Sequence, residues 1–140
     1  MKRVEFNDIL IADIERHTAR YVTFDSGLNV VTSNDNHMVK SLYHTLGADV
    51  EFDRPWDLSS KVMAVRMSVD DKVYRIVRQG GSLAVFDEGQ LVLLTNSITK
   101  KLAPKLAEIY DFSVYLTEKS DDKKVVFAPP AFTYMPYYID

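Results

Sequence analysis

Between residues 61 and 94 the sequence consists of short apolar-rich runs, each ended by a turn signal. The runs read KVMAVRMSV, KVYRIVR, SLAVF and QLVLL, and the turn sequences DD, GG and DEG separate them. Apolar and polar side chains alternate most clearly in the first two runs. Because successive side chains of a strand point to opposite faces, this pattern predicts an antiparallel meander with one face in water.

Strands are also predicted before this segment. Residues 4–14, VEFNDILIADI, form one strand with an interruption at Asn7 and Asp8, and residues 21–24, YVTF, form a second. Residues 28–32, LNVVT, are apolar enough for a strand that is buried on both faces. A helix should begin near Val39 and carry Leu42, Tyr43 and Leu46 on one side. Gly47 stands where a C-terminal cap is expected.

After the meander the sequence predicts a second helix and a hairpin. Asn96 or Ser97 can cap a helix from Ile98 to about Tyr110, in which Pro104 interrupts the hydrogen bonding. The runs FSVYLT and KVVFA predict two further paired strands. We find no linker or repeat, so residues 1–140 are expected to form a single domain.

Composition limits the classes of function. A chain of 140 residues with a net charge of −3 has no overall field that would attract nucleic acid. It contains no cysteine, which excludes disulfides, thiolate metal sites and cysteine nucleophiles. No apolar run is long enough for a membrane span and no signal peptide is evident, so we expect a cytoplasmic protein without a membrane partner.

Residues 30–47, VVTSNDNHMVKSLYHTLG, have the order strand, polar turn, Lys40-Ser41 and helix. In a phosphate-binding loop the lysine reaches the β- and γ-phosphates and the following hydroxyl binds Mg²⁺. The usual spacing would place glycines at positions 34 and 39, but the chain has Asn34 and Val39. A degenerate nucleotide site and a plain helix start with a solvated lysine are both open interpretations.

The surrounding residues resemble the opening of SMC/RecN-like ABC-type P-loop ATPases, and within that AAA group of ATPases they are most similar to uncharacterised bacterial and phage members. The matching positions are Thr32-Ser33, Asn36, Lys40-Ser41, Leu46-Gly47-Ala48-Asp49, Phe52, Trp56 and the terminal run PYYID. The resemblance includes residues near both ends of the chain. Val39 departs from it, because the family has a glycine before the lysine.

The resemblance implies an α+β, P-loop NTPase-like fold, the N-terminal lobe of an ABC-ATPase head. Its mixed sheet would surround the strand of residues 28–32, with one main helix and the meander alongside. It also implies ATP and Mg²⁺ as cofactors, with Ser41 as the magnesium ligand. The implied nucleotide-binding residues are Asn36, His37, Met38, Val39, Lys40 and Ser41.

The implied function is nucleotide binding within an ATPase for DNA repair or anti-phage defence. The C-terminal ATPase half or a second ATPase subunit would be the partner, and DNA would bind through the full assembly. The chain alone is expected to be inactive. The alternative is a non-enzymatic remnant, a decoy half-ATPase that binds a partner protein; a segment of a longer ATPase is also compatible with the sequence.

Overall fold

The meander of residues 61–94 forms the larger part of an antiparallel sheet. The computed structural model describes residues 3–25, 36–47, 60–110, 114–117 and 125–128 of the chain. Six strands of this part form one sheet in the order β2-β1-β3-β4-β5-β6. Their bounds are β1 Val4–Asp13, β2 Thr18–Thr23, β3 Lys61–Val69, β4 Lys72–Gln79, β5 Ser82–Asp87 and β6 Gln90–Thr95.

Alternation of side chains fixes which face of the sheet is buried. In β3 every second residue is buried, beginning at Lys61 and ending at Val69, and the residues between are half-buried. A one-residue shift of the register would move all the buried side chains to the other face. We call the face with the buried residues the inner face and the opposite one the outer face.

Two irregularities bend the sheet. The pairing of β1 with β3 shifts between Phe6 and Asp8, so that Asn7 is an extra residue, at the interruption that the sequence predicts. The Asn7 side chain donates from Nδ2 to Ser68 Oγ at 2.8 Å. A second shift, in the pairing of β5 with β6, leaves Val92 as the extra residue. Such bulges increase the local twist of the strand that contains them.

Two helical segments cover the inner face. Helix α1 is Asn36–Thr45, and a π-helical turn, Ile98–Leu102, leads directly into helix α2, Ala103–Tyr110. Pro104 cannot donate a backbone hydrogen bond, which is why the helix type changes next to it. Ser97 is the N-terminal cap, but its side chain makes no capping hydrogen bond. The predicted helix and its interruption are confirmed.

The core lies between the sheet and these helices. Its larger cluster consists of Tyr43, Leu46, Met67, Val69, Tyr74, Ile76, Leu83, Val85, Leu102, Leu106, Ile109 and Tyr110. A smaller cluster joins Met38 and Leu42 of α1 to Ile9 and Val65 of the sheet. The predicted hairpin is present as β7, Val114–Thr117, paired antiparallel with β8, Val125–Ala128.

The predicted P-loop NTPase-like fold with a mixed sheet is wrong. Every strand pair in the described part of the chain is antiparallel. Parallel strands need long crossover connections, whereas β3 to β6 are joined by turns of two residues that permit only antiparallel pairing. The strand predicted at residues 28–32 lies outside the described residues. The strand-turn-helix pattern of residues 30–47 favours a P-loop fold, whereas the hairpins of β3 to β6 make the observed sheet antiparallel.

Candidate nucleotide-binding site

The predicted site residues belong to the first half of α1. The helix begins at Asn36, three residues before the predicted start at Val39. Asn36, His37, Met38 and Val39 therefore form its first turn, where most backbone N–H groups have no carbonyl partner within the helix. These N–H groups and the helix dipole make such a turn favourable for an anion.

Apolar contacts hold α1 against the sheet. Met38 and Leu42 are 3% and 8% exposed, and they pack with Ile9 and Val65. Tyr43, one residue further on, joins the larger cluster. The three apolar positions predicted on one side of this helix, Leu42, Tyr43 and Leu46, are all buried.

The C-terminal end of α1 is fixed by Arg78 of β4. The Arg78 guanidinium donates to the His44 carbonyl oxygen of the last turn and, from Nε, to the Gly80 carbonyl oxygen at 3.2 Å. Burial lowers the pKa of Arg78. Gly47 adopts a φ of 92° and its N–H donates to the His44 carbonyl at 3.0 Å, which confirms the predicted cap.

Ser41 is the most informative residue of the site. It is fully buried, and its Oγ has no hydrogen-bond partner among the described residues. Thr45, four residues later, is also fully buried, but its hydroxyl donates to the Ser41 carbonyl oxygen at 2.7 Å. Buried hydroxyl groups are nearly always paired, so the Ser41 hydroxyl is an exception that needs an explanation.

Lys40, the neighbour of Ser41, is half-buried in the second turn of α1. The backbone of Asn36, His37 and Val39 is described but their side chains are not. The structure therefore brings Lys40, Ser41 and the N–H groups of the first turn together on one helix.

The chemical groups in this arrangement are of the kinds that can bind a nucleotide with Mg²⁺. A hydroxyl without a partner, a cation and a helix N-terminus are the groups that bind Mg²⁺ and phosphate. Lys40 would neutralise phosphate charge and Ser41 would face the cation. The Ser41 hydroxyl is covered by protein in this conformation, so contact with a cation requires local movement.

A second polar cluster, on the outer face, is not predicted by the sequence. Tyr21 donates its hydroxyl to Asp8 Oδ2 at 2.8 Å, and Arg66 Nη2 lies 2.6 Å from the same oxygen. The hydrogen bond to Asp8 raises the pKa of Tyr21. The three residues come from three strands, so only knowledge of the strand register could have brought them together.

Asp13 and Lys61 form a buried ion pair at the other end of β1 and β3. The hydrogen bond from Lys61 holds the pKa of Asp13 below its ordinary value of 3.8. Asp13 Oδ1 also accepts from the N–H groups of Glu15 and Arg16 in the following turn. This pair therefore stabilises the turn between β1 and β2.

Within the described ranges, no group of three metal-ligating side chains is close enough to hold a metal ion. No helix in the described part of the chain is sufficiently long and apolar to cross a membrane.

Two curated proteins are similar in sequence. The chain is 37% identical to Lamassu protein LmuB of Bacillus cereus (strain VD014) over 145 aligned positions, which cover 100% of the chain and 25% of that protein. It is 29% identical to Lamassu protein LmuB of Bacillus sp. (strain NCIM 5461 / CCTCC AB 2011126 / NIO-1130) over 83 positions, or 55% of the chain and 15% of that protein. The chain thus spans about a quarter or less of the length of these relatives. No family model and no solved structure matches it.

Proposed function

We propose that this chain is a nucleotide-binding segment of an anti-phage defence protein similar to Lamassu protein LmuB. The similarity to LmuB extends over the whole chain and supports the defence role. The resemblance of residues 30–56 and of the C-terminal run to SMC-like ATPases supports nucleotide binding. Since the matched relatives are several times longer, ATP hydrolysis would need residues beyond this chain or a second ATPase subunit, and DNA would bind to the full assembly.

The observation that carries the proposal is the Ser41 hydroxyl. An unpaired buried hydroxyl lowers the stability of the fold by about 1–3 kcal/mol, and a serine that only packs in the core gains nothing in return. A serine that serves a bound cation has such a reason, because the ligand replaces the missing partner. Lys40 lies next to it on the same helix.

Each residue of the site would have a separate task. The N–H groups of Asn36 to Val39 would donate to phosphate oxygens, and the Lys40 ammonium would neutralise their charge. Ser41 would orient its oxygen towards Mg²⁺. A bound ATP would supply the phosphoryl group, whose transfer would need partners outside this chain.

A direct test is calorimetric titration of Mg·ATP into the wild-type chain and three variants. Lys40→Ala removes the cation of the site, and Val39→Gly restores the glycine that the resembling ATPases have before the lysine. Lys105→Ala is the matched control, because Lys105 is another partly buried helical lysine, on α2. We expect binding by the wild type and by Lys105→Ala, and none by Lys40→Ala. Absence of binding by all four proteins contradicts the proposal.

A second candidate is a partner-binding remnant without nucleotide. The β-branched Val39 in the first turn of α1 favours it, whereas the retention of Lys40 and Ser41 opposes it. In that case the wild type gives no heat and Val39→Gly alone gains binding. Such a result would show that α1 can still bind a nucleotide once the glycine before Lys40 is restored.

A further inference from the structure

Two arginines lie side by side on the outer face of the sheet. Arg66 of β3 and Arg75 of β4 are directly opposite each other in the pairing of these strands. Like charges at opposite positions, where Cβ atoms are about 4.5–5.5 Å apart, destabilise a strand pair. Asp8 lies on the other side of Arg66 and binds Arg66 Nη2 at 2.6 Å. Arg75 is exposed and makes no hydrogen bond or ion pair within the described part of the chain.

One carboxylate therefore balances two guanidinium groups. Asp8 is only 6% exposed and also accepts the Tyr21 hydroxyl, so its binding capacity is largely used. The hydrogen bond to Asp8 raises the pKa of Tyr21, and the positive charges of Arg66 and Arg75 oppose this rise. The Arg66 side chain is 42% exposed, so a ligand can reach both arginines from solvent. A second carboxylate placed over them would receive charge-assisted hydrogen bonds from two guanidinium groups.

A mainly apolar hollow of about 490 Å³ lies next to Arg75 on the same face. Val73 and Val77, the neighbours of Arg75 on this face of β4, line it together with Phe86, the residue opposite Arg75 on β5. Glu88 also lines the hollow, but its Oε1 accepts from the Val73 N–H at 2.8 Å and does not pair with Arg75. An anion bound to Arg75 would therefore have apolar and aromatic surface beside it.

The rest of the outer face has the composition of a protein interface. Leu91 and Leu94 of β6 and Tyr21 of β2 are 53%, 66% and 58% exposed on it. No lysine lies on this face of the six described strands. Protein interfaces are enriched in aromatic residues and arginine and depleted of lysine. A surface for nucleic acid needs several cations to neutralise phosphates, and one unpaired arginine beside a paired one is too few.

We propose that the outer face binds a segment of a partner protein in which an acidic side chain stands next to an apolar or aromatic one. The acidic side chain lies over Arg66 and Arg75, and its apolar neighbour enters the hollow at Phe86. Charge complementarity selects this partner, because the face has an arginine without a carboxylate. The inference does not depend on nucleotide binding, since α1 lies on the inner face.

The first test uses the peptide acetyl-Leu-Glu-Phe-Leu-amide as a probe. It is titrated into the ¹⁵N-labelled chain and followed by NMR, which detects weak binding and locates it by residue. The signals of Arg75 and Phe86 should shift, whereas those of α1 should not. A peptide with glutamine in place of glutamate lacks the charge and should bind about tenfold more weakly. A peptide with serine in place of the three apolar residues should also bind more weakly.

The second test changes the chain. Arg75→Gln should weaken binding of the glutamate peptide about tenfold. Arg16→Gln is the matched control, because it removes the same charge from the turn after β1, where the Arg16 side chain is 83% exposed. It should leave the affinity unchanged. Circular dichroism checks the fold of Arg75→Gln, and Arg75→Lys, which lacks the planar fork of a guanidinium, replaces it if it is unfolded.

Four results would overturn the proposal. They are the absence of any shift with the glutamate peptide, shifts confined to residues outside the outer face, equal affinity for the glutamate and glutamine peptides, and unchanged affinity of Arg75→Gln. A short oligothymidine is titrated in parallel. If it shifts the signals of Arg75 and Phe86 while the peptide does not, the outer face binds nucleic acid and the proposal is wrong.

Discussion

Replacing Ser41 by alanine should stabilise the chain when no ligand is present. The lost hydroxyl is fully buried and unpaired among the described residues, so its removal recovers about 1–3 kcal/mol of desolvation cost. Alanine adds about 0.5 kcal/mol of helix propensity. The small space left by the oxygen offsets part of this gain. We therefore expect the free energy of unfolding to rise by about 1–2 kcal/mol.

Thermal unfolding followed by circular dichroism measures this effect. For a chain of this length, 1–2 kcal/mol corresponds to a rise in Tm of about 3–7 °C. Addition of Mg·ATP should then reverse the order of the two proteins. At a ligand concentration a hundred times Kd the wild type gains about 2.7 kcal/mol. Ser41→Ala, without its oxygen, should gain much less.

Thr45→Val provides the matched control within the same helix. Thr45 is equally buried, but its hydroxyl is hydrogen-bonded, so its removal should cost about 0.5–1.5 kcal/mol instead of stabilising. If Ser41→Ala destabilises the ligand-free chain by as much as this control does, the Ser41 hydroxyl is not an unpaired buried group. A stabilised Ser41→Ala that responds to Mg·ATP like the wild type would refute only the magnesium role.

Two further predictions concern charged groups. Arg78→Met should lower the free energy of unfolding by about 1–2 kcal/mol in urea, because the His44 carbonyl loses a charged donor, whereas Arg75→Met on the outer face should change it little. Lys61 lowers the pKa of Asp13 in the folded state, so this pair's contribution is complete above pH 3.8 and is lost as the pH falls through the lower folded value. Asp13→Asn should therefore flatten the acid side of the stability profile, and an unchanged slope below pH 4 would contradict this assignment.

Much of the sheet could be predicted because the patterns that determine it lie within short stretches of sequence. Alternating side chains and two-residue turns determine β3 to β6, and the left-handed φ values of Glu88 and Gly89, 48° and 83°, are what the turn between β5 and β6 requires. One of the two partners of β1 is not local in sequence. Its neighbour β3 follows nearly fifty residues later, and no pattern within either strand indicates that they pair. The sequence therefore predicts most of the strands correctly but the wrong class of sheet.

The site was predicted only as a set of neighbours in sequence. Lys40 and Ser41 are adjacent in any conformation, so their proximity needed no structure. What sequence could not show is that the Ser41 hydroxyl is buried without a partner, because this depends on how deeply α1 sits on the sheet. The cluster of Tyr21, Asp8 and Arg66 was missed for the same reason: it exists only once three strands are in register.

The sheet contributes to the proposed site by fixing the helix that contains it. Met38 and Leu42 pack α1 against Ile9 and Val65, and Arg78 holds its last turn, so strands outside the proposed site set the position of Ser41. A helix fixed along its length loses little freedom when its first turn binds an anion. Changes in this packing should therefore weaken nucleotide binding without touching the ligand. The antiparallel sheet would thus act as the support of the site and not as its lining.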